Sequence, residues 1–156
     1  MKIFSVFVLL GSSALVLTLA PALRADETLA ATQSAKVEVL EKSTLSWNDS
    51  TLPNYAQGQP ELSVVRVTIP EGGALPMHEH PFATAGVLLQ GELEVHTPEG
   101  KSRRIMAGEG LIELVNQPHY GANVGQGPAV ILVVYAGIEG QPVTVLVDGS
   151  AAGEPL

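Results

Sequence analysis

Past residue 36, no stretch of this chain keeps apolar residues at helical spacing for ten positions or more, which removes most folds from consideration. Instead, short alternating or apolar runs are each closed by Gly or Pro. Glu61–Ile69 is a strand ended by Pro70 and the turn Glu71-Gly72-Gly73. Gly86–Leu89 and Glu92–Thr97 flank Gln90-Gly91 and read as a hairpin. Further apolar strands are expected at Arg104–Met106, Leu111–Val115, Ala129–Tyr135 and Pro142–Val147. An alternation of Val37, Val39 and Leu45 against Glu38 and Lys42 precedes a polar loop over residues 49–60. Many short strands at regular spacing predict an all-β sandwich or barrel.

The chain has 156 residues, enough for one core and too few for two. Met1-Lys2 is followed by an apolar run to Leu19 and by small residues at Ala20, Ala22 and Ala25. A short positive start, an apolar middle and a small-residue exit mark residues 1–25 as a secretory signal peptide. The mature protein is then expected in the periplasm or secreted, with no stable membrane anchor after cleavage. The remainder divides into a flexible lead-in over 26–36, a barrel domain over 37–148 and a flexible tail over 149–156.

Charge narrows the partners. With 16 acidic against 8 basic residues the chain carries −8, and nucleic-acid binding depends on Lys and Arg neutralising phosphates. No nucleic-acid partner is expected. The absence of cysteine excludes disulfides, thiolate metal sites and a cysteine nucleophile.

The chemistry gathers on histidine. His78 and His80 lie two apart at the opening of a strand, so both imidazoles project to one face while Glu79 points away. His119 follows past later strands, and two antiparallel crossings would return it beside the pair. His96 alternates with Leu93 and Val95 and reads as a surface residue. Asn123 reads as a turn residue bonded to backbone, and Tyr120 as packing. Glu113 interrupts the apolar run Leu111–Val115, where an unpaired buried carboxylate is costly. Strand alternation is expected to put it on the wet face. Turned inward, it becomes the candidate catalytic residue, as proton carrier, fourth ligand or support for a ligand.

Gly72, then five residues, His78-Glu79-His80 and later Gly91 resemble the first sequence motif of the cupin superfamily. Gly108-Glu109-Gly110, then His119 and Asn123, resemble the second. The resemblance covers about residues 61–136 and implies a double-stranded β-helix, or jelly-roll, barrel. It also implies a metal held by two His and a Glu from the first motif and one His from the second. Two departures stand out: the glutamate position falls at Thr84 or Ala85, and the family's Pro and Gly before the second histidine are Leu114 and Asn116.

The expected site is therefore three histidines, His78, His80 and His119, holding a divalent transition metal (Fe, Mn, Zn, Ni or Cu). The expected partner is a small organic molecule, and the resemblance spans dioxygenase, isomerase and decarboxylase chemistry. A metal-free cupin module binding a small acid or sugar is the alternative, and a dimerising scaffold a third. The resemblance also suggests a homodimer. Because ligands must be neutral and free histidine titrates near about 6.5, metal affinity is expected to weaken between neutral and mildly acidic pH.

Overall fold

The structure is a computed structural model and describes residues 34–147. The expected signal peptide, most of the lead-in and the expected tail lie outside the described residues. Described residues from Val37 onward form one compact unit with no helix. Its strands are β1 (Pro60–Ile69), β2 (His78–Glu79), β3 (Thr84–Gln90), β4 (Glu92–His96), β5 (Ser102–Met106), β6 (Gly110–Ile112), β7 (Tyr120–Asn123), β8 (Ala129–Ile138) and β9 (Val145–Leu146).

One sheet runs β1-β8-β3-β6 and the other β5-β4-β7, while β2 pairs with β9. The period-2 pattern of each strand decides what it buries. On β8 it turns Ile131, Val133 and Tyr135 inward, and on β4 it turns Leu93 and Val95 inward, as expected. These residues meet Ile69, Leu88, Ile105 and Leu111 in one core shared by the two sheets. Leu88, Ile105 and Leu111 are fully enclosed, and burying each contributes about 1.5–3 kcal/mol.

Several expectations fail, each for a physical reason. Gln90-Gly91 is not a hairpin turn, because β3 and β4 belong to different sheets. Gly91 is the corner between them: its φ is +80°, and a Cβ there would lie 2.9 Å from the Pro128 carbonyl. Only glycine fits both conditions. The true hairpin is β4–β5, closed by Thr97 N–H donating to Lys101 O at 2.9 Å.

Val37 and Val39 alternate but join no strand, and they stand 87% and 69% exposed. The expected strand Leu111–Val115 ends at Ile112, and that over Pro142–Val147 shrinks to two residues. Strand β7, Tyr-Gly-Ala-Asn, escapes apolar pattern reading because backbone pairing with β4 holds it in place.

Asn123 fastens the loops at one end, as expected of a turn residue. Its Nδ2 donates to Ile69 O, Pro70 O and Gly127 O at 2.8–3.1 Å, and its Oδ1 accepts from Gly125 N–H. Asn123→Ala would remove these bonds, one of them to the carbonyl of buried Ile69, and is expected to lower unfolding free energy by about 1–3 kcal/mol in urea titrations.

Candidate metal centre

Alternation along β2 and the residue after it turns His78 and His80 inward, where both are buried, and leaves Glu79 half-buried on the other side. His119 comes back opposite His78: His78 N–H donates to His119 O at 2.9 Å and His119 N–H to His78 O at 2.8 Å. His80 is held by Asn116, whose N–H donates to His80 O at 2.8 Å. Asn116 has a φ of +54°. Asn tolerates this left-handed region better than most residues, so it serves where the family's motif has Gly.

The three rings form a triangle with centroids 4.7–5.0 Å apart. Each Nδ1 lies against a backbone carbonyl, His78 on Pro76 at 2.8 Å, His80 on Val143 at 3.1 Å and His119 on Gln117 at 2.8 Å. A carbonyl only accepts, so each Nδ1 carries the proton and each Nε2 keeps its lone pair. One ring nitrogen from each residue lies within 4.8 Å of the others. His119 Nε2 is buried with no hydrogen-bond partner. A buried acceptor without a partner is costly. Three neutral donors, fixed in one tautomer and converging, fit a transition-metal ion.

Burial keeps the imidazoles neutral. It pushes His80 down to about 3, with His119 and His78 adding to the shift, and His119 down to about 4. His78 is also lowered by burial. Burial thus moves proton competition for His80 and His119 below the range of a free imidazole.

Glu113 faces inward, against the expectation of a wet face. It is 6% exposed and lines the same cavity as the three histidines. Leu111 is the core residue of this segment, so the residue two further on shares its side, although the regular strand has already ended. Glu113 N–H donates to Thr84 O at 2.9 Å, and Ser46 Oγ donates to Glu113 O. Burial pushes its carboxyl up to about 7. Its Oε2 lies 3.6 Å from His119 Nε2, and neither atom has a hydrogen-bond partner. That separation is too long for a hydrogen bond, and the shifted pKa values favour a neutral carboxyl beside a neutral imidazole in mild acid.

Thr84 donates its hydroxyl to Phe82 O at 3.0 Å and offers no carboxylate. The acid near the histidines thus enters across the ladder from position 84. It stays outside the group of atoms within 4.8 Å of one another, which contains the histidines alone among the described residues.

The cavity has a volume of about 30 Å³, space for one or two water-sized groups. Its walls are apolar, from Val67, Leu75, Leu93, Val95, Ile131 and Val133, and its polar groups besides the histidines are Glu113, Tyr135 and Thr144. Tyr135 and Thr144 had not been singled out. The Tyr135 ring packs edge-on to His80 at 5.3 Å, on the wall that Thr144 also lines. A tyrosine alternating with Ile131 and Val133 on β8 was a readable signal. Thr144 lies outside the strands and gave none. His96 stacks on Tyr120 at 4.9 Å, away from this cavity.

Residues 65–135 match the sequence model of the cupin domain. The barrel is a cupin. Germin-like protein 8-14 of Oryza sativa subsp. japonica is 32% identical to this cupin over 82 residues, which are 49% of this chain and 38% of that protein. Oxalate oxidase, among solved structures, is 32% identical over 55% of this chain and 46% of its own, with a TM-score of 0.48. DMSP lyase DddQ from Ruegeria pomeroyi DSS-3 is 27% identical over 60% and 45%, with a TM-score of 0.49. The matches thus span less than half the length of each of these proteins.

Proposed function

We propose that this cupin holds one divalent transition metal on His78, His80 and His119 and acts on a small organic molecule beside it, with Glu113 as the proton carrier. The observation that carries the reading is the convergence of three imidazoles, each with its proton fixed on Nδ1 by a backbone carbonyl. When bound, the ion would supply Lewis-acid or oxygen-activating chemistry, with Fe, Mn, Zn, Ni and Cu all compatible with imidazole ligands.

The chain's own residues define the rest. The aliphatic walls exclude bulk water and restrict the substrate to something small, and they contribute no Lys or Arg to grip an anion. Glu113 accepts a proton from a group bound in front of His119 and returns it. Tyr135 and Thr144 orient that group from the β8 side. Export by residues 1–25, a periplasmic or secreted location and a homodimer belong to the same proposal, supported by the N-terminal sequence pattern and by the family resemblance.

The test is calorimetric titration of the metal-free protein with each candidate ion at pH 6, repeated in buffers of different ionisation heat. One ion per chain is expected. About one proton should be released per ion, from the carboxyl of Glu113, because burial holds the His80 and His119 imidazoles neutral and lowers His78 as well. Glu113→Gln should bind with the same stoichiometry and release almost none. Two or three protons released by both proteins would show that the imidazoles start protonated and the reading is wrong.

A further inference from the structure

We propose that the C-terminal strap Gln141–Val147 is the door of the metal centre and that Thr144, carried on it, is a positioning residue for His80. The proposal rests on the metal reading above. After β8 the chain reverses at Gly140, where φ is +74°, and Gln141 N–H donates to Ile138 O at 3.0 Å. Val143 then packs on Gly137, where an added Cβ would lie 2.8 Å from its Cγ1. This seat puts the Val143 carbonyl 3.1 Å from His80 Nδ1. Thr144, buried, reaches with its Oγ1 to 3.4 Å from the same nitrogen.

His78 and His119 take their Nδ1 partners from carbonyls two residues away in their own segments, Pro76 and Gln117. His80 takes its partner from 63 residues away, on the strap. The ligand set is therefore complete only while the strap is seated.

The strap is held by fewer ladder pairs than the core strands of the cavity wall. Strand β9 holds β2 by two register pairs, with one further bond from Val147 N–H to Met77 O at 3.2 Å. Strands β1 and β8, which supply other wall residues, share ten register pairs. Local opening follows the segment with fewest buried contacts and ladder bonds. Lifting residues 141–147 opens the cavity at Thr144 and frees His80 from its fixed tautomer in one movement, while leaving the core sheets paired.

A reversible lock tests this in the full chain, which has no cysteine of its own. Met77→Cys with Val147→Cys places two thiols on adjacent antiparallel segments, within disulfide range. The protein is loaded with Co²⁺ and mixed with excess EDTA, and release is followed by the cobalt absorption bands. Closing the disulfide should slow release by about tenfold or more, and reduction should restore the wild-type rate. In a second variant, Val147→Pro removes the Met77 bond at an exposed position and should speed release several-fold. Thr144→Val should shift the cobalt bands, as a merely structural role would not.

Equal release rates in the locked, reduced and Val147→Pro proteins would overturn the door. Unchanged cobalt bands in Thr144→Val would overturn the positioning role. A wild type that takes up no cobalt would instead overturn the metal reading, and this proposal with it.

Discussion

His119→Ala is expected to weaken metal binding by roughly 100-fold or more. Removing a residue that only orients a ligand typically costs about 10–100-fold in affinity, and His119 is itself a ligand. The His119 side chain is fully buried, so the substitution also opens a small void and its effect on folding is followed alongside the affinity. His78 and His119 are joined through their backbones, N–H to O in both directions, and those bonds survive the substitution. The metal-free variant should therefore keep the wild-type far-UV circular dichroism. Calorimetry on wild type and variant checks the affinity. A variant that unfolds would leave His119 indistinguishable from a structural residue, so His78→Ala and His80→Ala are measured in parallel. All three should lose affinity, whereas His96→Ala, stacked on Tyr120 away from the cavity, should lose none.

The second large effect is on stability against pH in the metal-free protein. His80 and His119 have folded pKa values below the unfolded value, about 3 and about 4 against 6.5. Their neutral forms are favoured in the barrel, so stability is fully present above pH 6.5 and is lost as pH falls toward those values. Glu113 runs the other way. Its carboxyl is raised from 4.5 to about 7, so its contribution is present below 4.5 and is lost as pH rises through 7.

From pH 6.5 down to 4.5 two imidazoles therefore lose while one carboxyl gains. The net fall is on the order of 1 kcal/mol per pH unit, since one pKa unit corresponds to about 1.4 kcal/mol. Glu113→Gln removes the opposing contribution and should roughly double the slope. Urea titrations of both proteins across this range check it. A flat profile in the wild type would mean that the imidazoles are not held neutral by burial. Saturating metal should move the acid limb to lower pH, because an ion that binds only the folded state stabilises it.

The fold was legible because period-2 alternation and Gly or Pro punctuation are local properties. Ile131, Val133, Leu93 and Val95 turn inward as their pattern demands. The pairing of His78 with His80 was legible for the same reason. What escaped depends on contacts between distant parts of the chain. Gly91 reads as a hairpin glycine, and only the sheet assignment of its flanking strands shows it to be a corner. Glu113 reads as solvent-facing if Ile112 and Leu114 define the buried side; in fact Leu111 and Glu113 are both buried, and Leu114 is buried after the strand has ended. Val143 reaches His80 through its backbone carbonyl, for which side-chain identity carries no signal at all. Asn116 departs from the family's Gly and adopts a φ of +54°, which residue type alone could not decide.

The central claim is that the three imidazoles hold an ion. Its most direct test is elemental analysis of untagged protein isolated from its native source, beside the His78→Ala, His80→Ala double variant. The account predicts close to one transition-metal ion per chain in the wild type and almost none in a folded double variant. A folded wild type that carries no metal, and takes up none when challenged with Fe, Mn, Zn, Ni and Cu, would contradict it.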